Sequence, residues 1–207
     1  MRRPVPGPRR RQTDFGGLDI AWDERVLQPR QWTLAQSRWA AELLQEVPPG
    51  PVLELCCGAG HIGLRAVADS GRSLVCVDAN PAAAAFAREN AAAAGLADRV
   101  EVRTGWIDEV VDEGELFSLI VADPPWVPRA DTARFPHDPA LAIDGGDDGL
   151  DVVRICVTAI QEHLAPGGCA LLQLGTSEQA RQVESLATRV RSTELRTYER
   201  GVVQRLG

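Results

Sequence analysis

Asp123-Pro124-Pro125-Trp126 closes an apolar run, Leu116–Ala122, that reads as a buried strand. The two prolines fix φ and remove two backbone N–H donors. The carbonyls of Asp123 and Pro124 are then left as acceptors at the strand's carboxyl edge, where ligands bind in open α/β sheets. Together with the Asp123 carboxylate they could hold both hydrogens of an NH2 group. Trp126 offers a flat face to a planar group. The bland reading of the same tetrapeptide is a proline-stiffened loop with a core tryptophan.

A second constellation precedes it. Gly58-Ala59-Gly60-His61-Ile62-Gly63 fits GxGxxG after a strand-like run, and Asp78 ends the next such run twenty residues after Gly58. Glycines let a backbone approach a ligand closely, and an acid after the second strand can hold ribose hydroxyls. This geometry serves any adenosine-bearing ligand. On its own it equally fits an NAD-dependent oxidoreductase, or glycines that serve only tight packing.

Alternating strands and helices must position these residues. Pro51–Cys57, Ser73–Asp78, Arg99–Arg103, Leu116–Ala122 and Cys169–Leu174 read as strands. Helices are expected at about 33–46, at 61–69, from Pro81 to just before Gly95, at 150–164 and at 177–189. Asn80 before Pro81, with Gly95 past the end, is a well-punctuated helix. The alternation predicts an α/β fold, a Rossmann-like, mostly parallel sheet with helices on both faces. Glu194–Glu199 and Val202–Leu206 leave no room for a helix between them and predict a C-terminal antiparallel hairpin. Phe15–Trp22 predicts short strands around a glycine turn.

Composition narrows the classes. All 22 basic residues are arginine, against 29 acids, for a net charge of −7. Five arginines lie in the first eleven residues, so residues 12–207 carry the whole acidic excess. Such a body repels phosphate and makes nucleic acid an unlikely partner. Residues 1–13 are expected to be a disordered basic arm, and 14–207 a single domain. No apolar run approaches the roughly 18–20 residues of a membrane span, and no secretory signal is visible, so the expected location is the cytoplasm. The five cysteines form no metal-spaced cluster, and Cys56, Cys57, Cys76 and Cys169, which sit in apolar runs, are expected to be buried thiols. Asp144, Asp147, Asp148 and Asp151 are expected to be a solvated acidic loop rather than a metal site. His61, at a helix start, could meet the cofactor, but is expected to be a solvated turn histidine.

Val52–Gly60, Asp78 and Asp123-Pro124-Pro125-Trp126 together resemble the class I S-adenosylmethionine-dependent methyltransferases. The resemblance implies their seven-stranded sheet with one antiparallel last strand, and S-adenosylmethionine as cofactor. The tetrapeptide is similar to the one carried by enzymes that methylate planar nitrogens, in adenine or in glutamine amides. From Phe15 to about Leu186 the chain resembles the release-factor glutamine methyltransferases. Phe15–Ile20, Val26–Thr33, Ala142–Asp151 and Leu164–Gly168 carry that likeness. Two departures weaken the glutamine reading: Asp123 stands where those enzymes carry asparagine, and Trp126 where they carry tyrosine. Cys56 replaces the first motif glycine, and Gly105 replaces an acid before Trp106.

The resemblance implies catalytic roles for Asp123, Pro124, Pro125 and Trp126. It implies cofactor contacts from Glu54, Cys56, Cys57, Gly58, Ala59, Gly60, Asp78, Ala79, Gly105, Trp106 and Asp123. Glu54 would orient the glycine loop or meet the methionine ammonium, and Trp106 would pack on the adenine or simply fill the core. Arg30, Thr33 and Trp126 would meet the acceptor. That acceptor would be a protein glutamine, as in a release factor; the alternatives are a small molecule of specialised metabolism and, less favoured, an adenine in nucleic acid.

Overall fold

The computed structural model describes residues 8–207, so most of the expected basic arm lies outside the described residues. Its last residues do not: Arg11–Phe15 form strand β1, paired antiparallel with β2, Leu18–Trp22. The pairing is supported across the strands. The Trp22 indole N–H donates to Thr13 Oγ1 at 2.8 Å, and the Arg11 guanidinium lies over the Trp22 ring. Local composition signals a loose arm, but β2, with Trp22, Ala21 and Ile20 opposite Arg11, Gln12 and Thr13, supplies the ladder that orders them.

The remaining strands are β3 (Val52–Leu55), β4 (Leu74–Asp78), β5 (Val100–Thr104), β6 (Phe117–Ala122), β7 (Leu164–Leu174), β8 (Ser192–Thr197) and β9 (Val202–Leu206). They form one seven-stranded sheet in the order β5-β4-β3-β6-β7-β9-β8. The first five of that order are parallel, and β9 runs antiparallel to both β7 and β8. The expected mostly parallel sheet and closing hairpin are therefore present. Strand β7 starts five residues earlier than expected, because Leu164 pairs with Phe117 before the register shifts ahead of Leu119.

The helices are α1 (Leu34–Leu43), α2 (His61–Val67), α3 (Pro81–Ala93), α4 (Ile107–Val110), α5 (Ala140–Ile143), α6 (Asp151–His163) and α7 (Ser177–Leu186). The short α4 and α5 had no periodicity long enough to be read. Side chains alternate across the sheet. Val52, Leu119 and Val121 pack with α1, α2, α3 and the β1–β2 hairpin, while Leu53, Leu55, Ile120 and Ala122 pack with α6 and α7.

Asn90 of α3 ties the hairpin to that first core. Its side chain accepts from the Ala21 amide at 2.8 Å and donates to the Ala21 and Ala59 carbonyls at 3.0 and 2.9 Å, all buried. Asn90→Ala would leave three buried backbone groups without these partners. The expected loss, read from denaturant midpoints at constant m-value, is about 3 kcal/mol. A loss under about 1 kcal/mol would mean that water replaces the amide.

Candidate active site

The chain runs outward from β3 to β4 and β5, then returns to place β6 beside β3. At such a switch point the loops after neighbouring strands diverge and open a crevice at the carboxyl edge. Here the β3 loop (Cys56–Gly60), the end of β4 (Asp78) and the residue after β6 (Asp123) meet. Two adjoining cavities open there, of about 480 and 520 Å³. Leu27, His61, Asp123, Pro125 and Ala142 line both, so they form the wall between them.

The first cavity is lined by Cys56, Cys57, Gly58, Asp78, Ala79, Gly105 and Trp106, among others. Each loop glycine has its own reason. Gly58 has φ +55° and faces open space, so a ligand can approach its backbone. At Gly60 a Cβ would crowd Ala87 and Leu64, so this glycine serves the packing of α2 on α3. At Gly63 a Cβ would collide with the Glu54 carboxyl. Cys56 adopts φ +57° without being glycine, a conformation that costs about 1–2 kcal/mol and that the surrounding loop must hold.

Asp78 is half-buried. It accepts from the Gly58 amide at 2.7 Å and the Asn80 amide at 2.8 Å, which fixes its rotamer. Burial raises its pKa, and those two amides oppose the rise. Trp106 is 51% exposed at the cavity rim and is not a core residue. Leu141 and Ile155 are also exposed there, giving the cavity an apolar mouth.

Glu54, Ala59 and Gly60, expected at the cofactor, do not line this cavity. Glu54 is buried under the loop, where Oε1 accepts from the Gly63 amide at 2.9 Å and Cys76 Sγ lies 3.4 Å from Oε2. Helix α2 has glycine at its N-cap and no capping side chain of its own, so Glu54 satisfies one of its first amides from the neighbouring strand. In this position it orients the loop through the Gly63 amide. Ala59 is fully buried and engaged by Asn90.

Burial pushes Glu54 up to about 8, with the Gly63 amide opposing. The native state therefore keeps a proton that the unfolded chain loses near the usual carboxylate pKa. This contribution to stability is complete below about pH 4.5 and fades as pH rises to about 8. Glu54→Gln is expected to remove that slope, so that wild type loses on the order of 3 kcal/mol more than the variant between pH 5 and 8.5. Parallel profiles of stability against pH for the two proteins, each point read from denaturant unfolding, would refute it.

The second cavity is lined by Arg30, Thr33, Pro124, Trp126, Val127, Phe135 and Gly175 in addition to the shared wall. The Trp126 ring lies against Gly175, where a Cβ would collide with it. The Trp126 carbonyl accepts from Gln179 Nε2 at 3.0 Å, which anchors the loop to α7. Asp123 is half-buried, and desolvation pushes it up to about 7. Arg30 is held by both carboxylate oxygens of Asp138, at 2.6 and 2.7 Å. Thr33 Oγ1 donates to the Arg30 carbonyl at 2.8 Å.

His61 departs from the sequence expectation. It is buried, meets the Phe15 ring edge-on at 4.8 Å, and burial lowers it to about 4. It is a neutral part of the wall between the cavities. Helix α5, the α6 residues Val152 and Ile155, and the β8–β9 turn also line the site, and the motifs did not point to them. For the turn, the antiparallel final strand was the available signal.

The donor set fits an adenosine-bearing methyl donor: an approachable glycine backbone, an oriented acid at the end of β4, and an apolar rim carrying tryptophan. Known proteins agree. Residues 36–135 match the family model described as methyltransferase small domain. A release factor glutamine methyltransferase of Deinococcus radiodurans is 35% identical over 194 residues, covering 87% of this chain and 64% of the relative. A ribosomal protein uL3 glutamine methyltransferase of Francisella tularensis is 29% identical, covering 87% of this chain and 59% of the relative. The chain thus spans less than two thirds of the length of these curated relatives. A ribosomal protein L11 methylase from Lactobacillus delbrueckii shares the fold with a TM-score of 0.66 at 15% identity, covering 88% of this chain and 81% of that one. Matched sequence and strand order agree: the chain carries a methyltransferase domain, matching that family model over residues 36–135.

Proposed function

We propose that residues 14–207, extended by β1 to Arg11, act as one methyltransferase unit that methylates a planar amide nitrogen, that of a glutamine in a protein. The observation that carries this reading is Asp123-Pro124-Pro125-Trp126 on the wall between two adjoining cavities, with acceptor groups available to both. The glutamine methyltransferases among its relatives support the choice of acceptor.

The bound cofactor would supply an activated methyl group on a sulfonium. Gly58, Asp78 and Trp106 would hold it in the first cavity. An amide nitrogen is a poor nucleophile because its lone pair is delocalised, so orientation is the main contribution of the chain. Orientation is worth up to about 7–11 kcal/mol in ideal cases. Asp123 and the Asp123 and Pro124 carbonyls would fix the NH2 hydrogens, and Trp126 would cover the plane of the amide. The Asp123 carboxylate would favour the positive charge that grows on nitrogen. The nitrogen then loses its proton to solvent, and no strong base is required.

The test has two steps. Calorimetric titration with S-adenosylhomocysteine, with NAD as control, should give micromolar binding of the first and none of the second. Methyl transfer should then proceed to a capped glutamine peptide and not to an adenine-containing oligonucleotide. Preference for NAD would overturn the methyltransferase activity. Transfer to the oligonucleotide alone would move the acceptor to adenine.

A further inference from the structure

The turn joining β8 to β9 stands at the second cavity, and no role in orienting the amide nitrogen requires it. Glu199, Arg200 and Gly201 line that cavity. The topology explains their position. Strand β7 runs parallel to β6, and β9 runs back along β7 with Val202 opposite Leu174. The hairpin turn therefore falls at the same carboxyl edge as Asp123. It is also held there. The Tyr198 amide donates to the Gly201 carbonyl at 3.0 Å. Gly201 has φ +93°, and a Cβ would collide with the Leu174 carbonyl, so the turn is pressed onto the end of β7.

Charge singles out its two tip residues. Three arginines line the cavities: Arg30 is bound by Asp138, and Arg129 by Asp144 at 3.1 Å, leaving Arg200. Among the described residues Arg200 has no carboxylate partner and Glu199 no cationic one; both are exposed. Adjacent and uncompensated, they present a strong donor and a strong acceptor side by side.

Resting on amide methylation as the reaction, we propose that Glu199 and Arg200 recognise the α-amino-acid unit of the acceptor. Arg200 donates to its carbonyl or carboxylate oxygen, and Glu199 accepts from its N–H or ammonium, while the side-chain amide reaches Asp123. Peptide main chain and a free amino acid offer the same pair of groups, and their charges distinguish them.

The test compares the wild-type chain with Glu199→Ala and Arg200→Ala on three primary amides: a capped glutamine peptide, free glutamine, and butyramide, which has no main chain. Each variant is expected to raise KM for the preferred amino-acid acceptor about tenfold, with kcat within twofold. Affinity for S-adenosylhomocysteine should stay within twofold, and kcat/KM for butyramide should fall by less than twofold. A larger KM effect on free glutamine than on the peptide would identify a zwitterionic acceptor. The reverse would identify a peptide. Unchanged KM for both, or an equal loss with butyramide, overturns the assignment while leaving amide methylation intact. If wild type methylates none of the three, the proposed reaction fails and this inference with it.

Discussion

Asp123→Ala is expected to lower kcat by about 10²–10³-fold, the usual effect of removing one preorganised group aimed at developing charge. The affinity for S-adenosylhomocysteine should fall far less, because Asp123 is one of many residues around the first cavity. Asp123→Asn refines the result. Asparagine preserves an acceptor oxygen at this place but cannot ionise. Burial pushes the Asp123 carboxyl up to about 7, so at neutral pH it is divided between its two forms. If the ionised form favours the charge growing on nitrogen, kcat/KM for wild type rises through about pH 7 and levels off above it. Asp123→Asn should show a flat profile from pH 6 to 8.5. A flat wild-type profile, or an inflection that survives in the variant, would assign the titration to another group and leave Asp123 a purely geometric role.

The second large effect concerns the cofactor side. Asp78→Ala is expected to weaken S-adenosylhomocysteine about a hundredfold, equivalent to about 3 kcal/mol for charge-assisted hydrogen bonds to a ribose. Asp78 also accepts from the Gly58 and Asn80 amides, so the alanine variant loosens the loop as well. Asp78→Asn separates the two contributions. Its side-chain oxygen can still accept one amide bond, so stability should recover most of the way while affinity remains at least tenfold reduced. Calorimetry on both variants, beside their denaturant midpoints, reads the two effects independently. Affinity that returns fully with asparagine would mean that loop order, and no direct contact, is the contribution of Asp78.

These two residues were legible in the chain because each is punctuated locally. Asp78 ends an apolar strand and precedes the Asn80-Pro81 start of α3, where Asn80 Oδ1 accepts from the Ala82 amide at 2.9 Å. Asp123 is followed by two prolines that break strand and helix alike. The strand and helix sequence was readable for the same reason, since caps, glycines and apolar runs act within a few residues. Glu54 shows where that reading stops. The resemblance left two roles for it, orienting the loop or meeting a ligand, and only the packing of α2 on β3 shows its carboxyl beneath the helix, on the Gly63 amide.

Sequence by itself determined the α/β alternation, the closing hairpin, the approachable glycine loop and the acids at the ends of two strands. All depend on short-range steric and hydrogen-bonding preferences. Tertiary structure decided the rest: β1 as an ordered strand, His61 as a buried wall, Trp106 as an exposed rim, and the pairing of Arg30 with Asp138 across 108 residues. It also brought the Glu199-Arg200 turn to the second cavity. Those outcomes depend on which strands become neighbours and in which direction they run. That choice is made by the simultaneous burial of both sheet faces, which no local stretch of sequence encodes.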